Sequence, residues 1–267
     1  MTLGPEICNR YEVNVVNTAQ DAMIPADRRP NPLSTTLSAV PTDGLAGLVG
    51  LADRAAALVP ESGRAILGIV GAPGSGKSTL AEQLVTALRS SHGPDWVAHV
   101  PMDGYHLADA QLRRLGSLDR KGAPDTFDAD GYAHLLGRVK ANPDSWIYVP
   151  GFERELEQPL AAALVVPPAA RLIITEGNYL LLDTPSWRSA RERLDEVWYV
   201  VTDPGVRQER LVQRHIRFGK APDAARDWVM SVDEPNALLI DEGAARADLV
   251  VDNGPHGWRP AGADLGT

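Results

Sequence analysis

The chain of 267 residues contains one cysteine, Cys8, which excludes an intrachain disulfide and any zinc site built on paired thiolates. It has no excess of positive charge. A net charge of −9, with a pI near 5.2, argues against a general nucleic-acid partner. No apolar run approaches the roughly 18 residues that a membrane helix needs. The nearest, Ala161–Val166, is stopped by Pro167 and Pro168. The first residues lack a basic region followed by an apolar one, so they do not read as a secretory signal. The expectation is a soluble cytoplasmic protein. The six histidines show no metal-binding spacing, and internal repeats and low-complexity linkers are absent. An apolar content of 44% is ordinary for a chain that buries a substantial core.

Against that background one stretch stands out: Gly71-Ala72-Pro73-Gly74-Ser75-Gly76-Lys77-Ser78-Thr79. It fits the phosphate-binding pattern G-x-x-x-x-G-K-[ST]. A loop that wraps phosphate oxygens must bring backbone N–H groups close to them, so its side chains are small. Its glycines admit the backbone angles that aim successive amides inward. Lys77 adds a point charge for the β- and γ-phosphates, and the Ser78 hydroxyl suits Mg²⁺. The setting agrees with the pattern. Ala65–Val70 reads as a short buried strand, while Leu80, Leu84 and Leu88 recur as on an amphipathic helix. The helix would point its positive end at the same anion. These features imply binding of a nucleoside triphosphate.

Residues 1–41, rich in polar residues and broken by Pro25, Pro30, Pro32 and Pro41, read as a poorly structured leader. Met23 is an alternative start, which intact mass would test. Residues 42–255 read as one domain and 256–267 as a C-terminal tail. Helical spacing is expected over Gly44–Val59 and Ala129–Lys140. Strands are expected near Trp96–Pro101, Trp146–Val149, Arg171–Thr175, Glu196–Thr202 and Ala247–Val251, with Pro150–Arg154 a loop leaving the second of these. Strands that are apolar throughout and alternate with helices indicate an α/β fold, with a mostly parallel sheet covered on both faces.

Asp103 follows a buried strand, so its carboxylate should emerge at the sheet's carboxyl edge, where α/β folds bind ligands. There it can take the proton of an acceptor hydroxyl; the plainer alternative is a helix cap. Glu176 also ends an apolar strand and suits Mg²⁺ ligation with Ser78, while Asn178 beside it can touch substrate. Asp203 and Asp252 end apolar runs too, but Asp203 precedes Pro204 and reads as a cap. Arg207, Arg210, Arg214 and Arg217 share an arc of roughly 80° at about 100° per residue. One basic face suits a lid that closes on phosphate, and the alternative is a solvated charged stripe. Arg120, Lys121 and Arg154 lie in polar loops as candidate binders of an anionic or polyhydroxy substrate. Tyr105, His106, Phe127 and Phe152 are candidates for an acceptor wall.

Gly71–Thr79, Met-Asp-Gly-Tyr-His-Leu (102–107), Arg-Lys-Gly-Ala-Pro-Asp-Thr-Phe-Asp (120–128), Glu-Gly-Asn-Tyr-Leu-Leu-Leu (176–182) and Arg-His-Ile-Arg-Phe-Gly (214–219) together resemble a known group. It is the uridine kinase, pantothenate kinase and phosphoribulokinase superfamily of P-loop kinases. The chain looks closest to the bacterial nucleoside/nucleotide kinase-like or fructose-transport-system kinase-like branch, and Asp-Glu-Pro-Asn (233–236) also looks like that branch. The resemblance spans about residues 45–253. It implies a P-loop NTPase three-layer fold with a helical arginine lid, and ATP with Mg²⁺ as cofactors. It further implies Asp103 as catalytic base, Glu176 as the strand-end carboxylate, and Arg214 and Arg217 as lid arginines, with Arg210 also placed toward the nucleotide. The expected activity is γ-phosphoryl transfer to a hydroxyl of a sugar, nucleoside or vitamin-like alcohol. A small acceptor is then the partner, with neither nucleic acid nor membrane, and a homodimer is left open. A rival reading is an ATP-dependent regulatory switch or chaperone-type NTPase acting on a protein, although the guanine-reading Asn-Lys-x-Asp is absent. A nucleotide-binding module without catalysis is a third. Lys77, Ser78, Asp103 and Glu176 occurring together count against it.

Overall fold

Every residue of Ala65–Val70 is buried, and alternate side chains enter two different cores. Ile66 and Val70 face one core while Ala65, Leu67 and Ile69 face the other, as the two-residue period of a strand requires. This strand therefore lies in the middle layer of three. The structure is a computed structural model and describes residues 42–261. The expected leader, 1–41, and the end of the expected tail, 262–267, lie outside the described residues.

In chain order, α1 (Thr42–Ala57) leads to β1 (Ala65–Val70), the phosphate loop, α2 (Lys77–His92) and β2 (Val97–His99). Next come α3 (Asp109–Leu115), α4 (Ala129–Ala141), β3 (Ile147–Glu153), β4 (Gln158–Val166) and β5 (Leu172–Gly177). The chain continues through α5 (Pro185–Arg191), β6 (Glu196–Val201), α6 (Pro204–Arg217), α7 (Pro222–Trp228) and α8 (Glu234–Asp241). It then enters β7 (Leu249–Gly254) and β8 (Gly257–Pro260). The main sheet has the order β2-β5-β1-β6-β7-β8. All its pairings are parallel except the last. Residues of α1 and α2 cover one face, and those of α4 and α5 the other. The mostly parallel α/β sandwich read from the apolar strands is the observed architecture.

Two expectations are corrected. The segment after Val149 is not a loop: β3 runs on to Glu153 and pairs antiparallel with β4 in a separate two-stranded sheet. Its half-exposed strands contain Pro150, Pro159 and a run of alanines, so they lack the apolar continuity that marked the central strands. The domain also does not end at residue 255. After a turn at Pro255–His256, β8 pairs back on β7, and Trp258 is buried against α2, donating from Nε1 to Gln83 Oε1 at 2.6 Å. A four-residue strand is too short to announce itself by periodicity.

Buried charge also holds the layers. Arg64, just before β1, donates to the carbonyls of Ala170, Val139, Asn142, Pro143 and Pro167 at 2.7–3.3 Å. The five contacts spread the guanidinium charge over carbonyl dipoles, which compensates a burial that would otherwise be costly. They tie the end of α4 and the exit of β4 to the strand that feeds the phosphate loop.

Candidate active site

The parallel register brings the key side chains to one edge. In the pairing of β1 with β5, Ile69 lies beside Glu176 and Val70 beside Gly177, so Glu176 stands at the root of the phosphate loop. On the other side of β5, the Val100 N–H donates to the Ile174 carbonyl at 2.9 Å. The chain then turns through Met102–Tyr105, leaving Asp103 at the same edge. The loop itself takes φ of 79° at Gly74 and 99° at Gly76, the left-handed region that side chains avoid. No side chain caps the N-terminus of α2. The first amides of this helix therefore remain available to an anion.

Charge interactions show which groups converge. Burial pulls the Lys77 ammonium below its usual range; Glu176 and Asp103 oppose the shift, while Arg214 and Arg154 add to it. Burial and the Asp103 charge push the Glu176 carboxyl up to about 7, against Lys77, the Ser78 hydroxyl and Arg154. Glu176 is only 4% exposed. Lys77, Ser78, Asp103, Arg154, Glu176 and Arg214 thus form one constellation although the sequence scatters them over 138 positions, from 77 to 214 inclusive. The Ser78 hydroxyl beside a buried carboxylate is a hard oxygen donor set of the kind Mg²⁺ takes. Asp203 accepts from the Val206 N–H at 3.0 Å, as an N-cap does, and so is not a competing ligand.

The other candidates divide. His106 donates through Nδ1 to the Asp103 carbonyl at 2.8 Å. Its ring packs at a tilt against Phe127 and Phe152, with centroids 4.0 Å and 4.8 Å away. Burial lowers its pKa, with Asp103 opposing, so its ring is neutral at pH 7. Asn178 turns a buried Oδ1 that has no partner among the described residues. Phe127, expected as open wall, belongs to the core with Tyr179 and Trp187 and supports His106 from behind. Tyr105 packs on Tyr132 at 5.3 Å with its ring partly in the core. Lys121 is taken up by Asp109 at 2.7 Å and lies over the Phe152 ring, so it is a brace at the edge of the wall. Arg120 is likewise paired, with Asp125 at 2.6 Å. Arg210 and Arg217 are exposed and make no ion pair among the described residues. Thr79 faces outward, while Ala72, Pro73 and Ser75 are buried.

Arg207 is the clearest departure from the reading of one arginine face. It is 7% exposed and pairs with Glu234 at 2.6 Å, with a second contact to the Pro73 carbonyl. Helical spacing grouped it with Arg210, Arg214 and Arg217, but α6 turns that end toward the protein. Sequence reasoning also missed Asn253, whose Nδ2 donates to the Ser75 carbonyl at 2.7 Å, and the approach of the hairpin to Gly104. A Cβ at Gly104 would come within 2.4 Å of the Pro150 carbonyl oxygen. The missing side chain lets β3 lie directly on the turn that presents Asp103, and this seats Phe152 against His106. A glycine inside Met-Asp-Gly-Tyr-His was the available signal.

A glycine-lined anion site, a lysine, a buried carboxylate and an arginine on a following helix can hold and neutralise a nucleoside triphosphate. On this mostly parallel sheet they define a P-loop kinase. A candidate uridine kinase of Schizosaccharomyces pombe is 35% identical over 207 residues, which is 75% of this chain and 88% of the relative. The ATP-dependent kinase-like protein notR' of Aspergillus versicolor is 34% identical over 174 residues, 61% of this chain and 98% of the relative. A solved structure, a candidate fructose transport system kinase of Silicibacter sp., superposes with a TM-score of 0.69 at 36% identity, covering 76% of this chain and 98% of that one. No family model matches the chain. The chain belongs to the uridine kinase-like family of P-loop kinases.

Proposed function

We propose that this kinase transfers the γ-phosphoryl group of ATP to a hydroxyl of a small acceptor, a sugar, nucleoside or vitamin-like alcohol. The observation that carries the reading is the electrostatic coupling of Asp103 to both Lys77 and Glu176 at the carboxyl edge of the sheet. In this mechanism the amides of Gly74–Ser78 and the Lys77 ammonium hold the phosphate chain. Ser78 and Glu176 would hold Mg²⁺, which when bound neutralises phosphate charge. Asp103 orients the acceptor hydroxyl and receives its proton as the phosphoryl group arrives. Arg214 offsets the charge that spreads over the transferring oxygens. The neutral His106 ring and Phe152 offer the acceptor an apolar side, and Asn178 Oδ1 offers a hydrogen-bond acceptor for a hydroxyl or N–H.

The test is ADP release from ATP-Mg²⁺ across a panel of sugars, nucleosides and pantothenate-like alcohols, with Lys77→Ala as the blank. An acceptor that raises ADP release, and is recovered as a phosphorylated product by mass, is the expected result. Silence across the panel with ATP binding intact would favour a nucleotide-dependent switch acting on a protein.

A further inference from the structure

The Asp-Glu-Pro-Asn segment (233–236) contributes no side chain to the constellation around Lys77 and Glu176, yet it is tied to it. α7 and α8 form one rod interrupted by a π-helical turn, Val229–Asp233. In an uninterrupted α-helix neighbouring side chains diverge by about 100°. A π turn inserts a residue into the helix and shifts the side chains of the next turn around the axis. Here the carboxylates on either side of its end both reach α6. Asp233 bonds His215 Nε2 at 2.8 Å, and Glu234 accepts from Arg207 Nη2 at 2.6 Å.

Arg207 continues the connection. Its Nη1 donates to the Pro73 carbonyl at 3.4 Å, inside the phosphate loop. Its own carbonyl oxygen and Leu211 Cγ both lie 2.9 Å from where a Cβ on Gly74 would stand. α6 therefore rests on the loop itself, seven residues before Arg214. The other end of α8 is anchored too. The Tyr199 hydroxyl donates to Asp241, and β6, which carries Tyr199, pairs with β1, which leads into the loop. The path Tyr199–Asp241–Glu234–Arg207–Pro73 closes a triangle between sheet, rod and loop.

We propose that Glu234 is a positioning residue for phosphoryl transfer: by holding the buried Arg207 it fixes both the Pro73 carbonyl of the phosphate loop and the seating on that loop of α6, the helix that carries Arg214. The proposal rests on the kinase assignment and is independent of which acceptor is used. Losing Glu234 leaves a buried guanidinium without its carboxylate, which loosens the contact with Pro73. An apolar pair of similar volume can restore packing but cannot donate to that carbonyl. Stability and positioning are therefore separable.

The experiment compares Glu234→Gln and the double variant Glu234→Leu with Arg207→Met against the full wild-type chain. The readouts are thermal midpoint, hydrogen exchange of the peptide over residues 71–80, and single-turnover hydrolysis of ATP-Mg²⁺ with water as acceptor. Glu234→Gln should exchange the loop amides faster and hydrolyse ATP about tenfold or more slowly, with the ATP dissociation constant changed less than about threefold. The double variant should regain the wild-type midpoint while fast exchange and slow hydrolysis persist. Recovery of exchange and hydrolysis together with the midpoint would reduce the link to packing and overturn the proposal. Wild-type exchange and turnover in Glu234→Gln would do the same. Because exchange needs no turnover, failure of the kinase reading and failure of the link give different results.

Discussion

At the scale of single residues, the site depends on two opposite charges sharing one edge of the sheet. Burial raises the Glu176 carboxyl and lowers the Lys77 ammonium, and each group's charge opposes the other's shift. Asp103 sits on the same edge without that degree of burial. Asp103→Asn keeps the shape and removes the proton acceptor. Turnover with the acceptor found by the panel should fall by about 10²–10⁴ while ATP affinity stays within a few-fold. Steady-state kinetics and an ATP titration check both halves, and unchanged turnover would remove Asp103 as the base. Arg207 teaches the complementary lesson. Four arginines share one helical arc by spacing, yet one is buried as a strut, because spacing fixes relative angle and not which way the helix is turned.

At the scale of elements, β2 is a three-residue strand at the edge of the main sheet, and the turn after it delivers Asp103. It carries His99, whose Nε2 is buried with no partner among the described residues. Burial, helped by the Arg89 charge and opposed by Asp103, pushes His99 down to about 4. The folded chain then binds fewer protons than the unfolded chain between about pH 4 and pH 6.5. Stability contributed by neutral His99 is complete above the unfolded value of about 6.5 and is lost as pH falls toward the folded value. Acidification from pH 7.5 to pH 4.5 should cost about 2 kcal/mol through this side chain alone. Denaturant unfolding at both pH values, with His99→Met alongside, checks it: the variant should lose less stability on acidification. An equal loss in both proteins would place the acid sensitivity elsewhere.

Across the whole molecule, the last strands close on the first motif. Asn253 holds the Ser75 carbonyl, Thr202 holds the Asn253 carbonyl at 2.9 Å, and Trp258 fills the core beside α2. The phosphate loop is thus braced from β7 and β8 on one side and from α6 on another. Trp258→Ala would leave a cavity and an unpaired Gln83. A loss of about 3–5 kcal/mol is expected, which is on the order of 10 °C in thermal midpoint for a domain of this size. Calorimetry with and without ATP-Mg²⁺ measures it. A midpoint within a degree or two of wild type would show that β8 is dispensable to the fold.

Local pattern alone determined the strand–loop–helix that binds phosphate, the apolar parallel strands, the cap at Asp203 and the carboxylates at strand ends. Each of these is a relation among residues close in the chain: glycine tolerates positive φ, apolar runs need burial on both faces, and an Asp before proline caps a helix. The tertiary structure decided the rest: that Phe127 lies in the core while Phe152 comes to His106 from a hairpin, that Lys121 is spent on Asp109, that Arg207 faces inward, and that the domain continues through Trp258. These depend on which surfaces meet across the fold, at separations that run from 12 residues for Lys121 and Asp109 to 178 for Asn253 and Ser75. Such meetings are fixed by packing and by the closure of the sheet, for which no short stretch carries a signature.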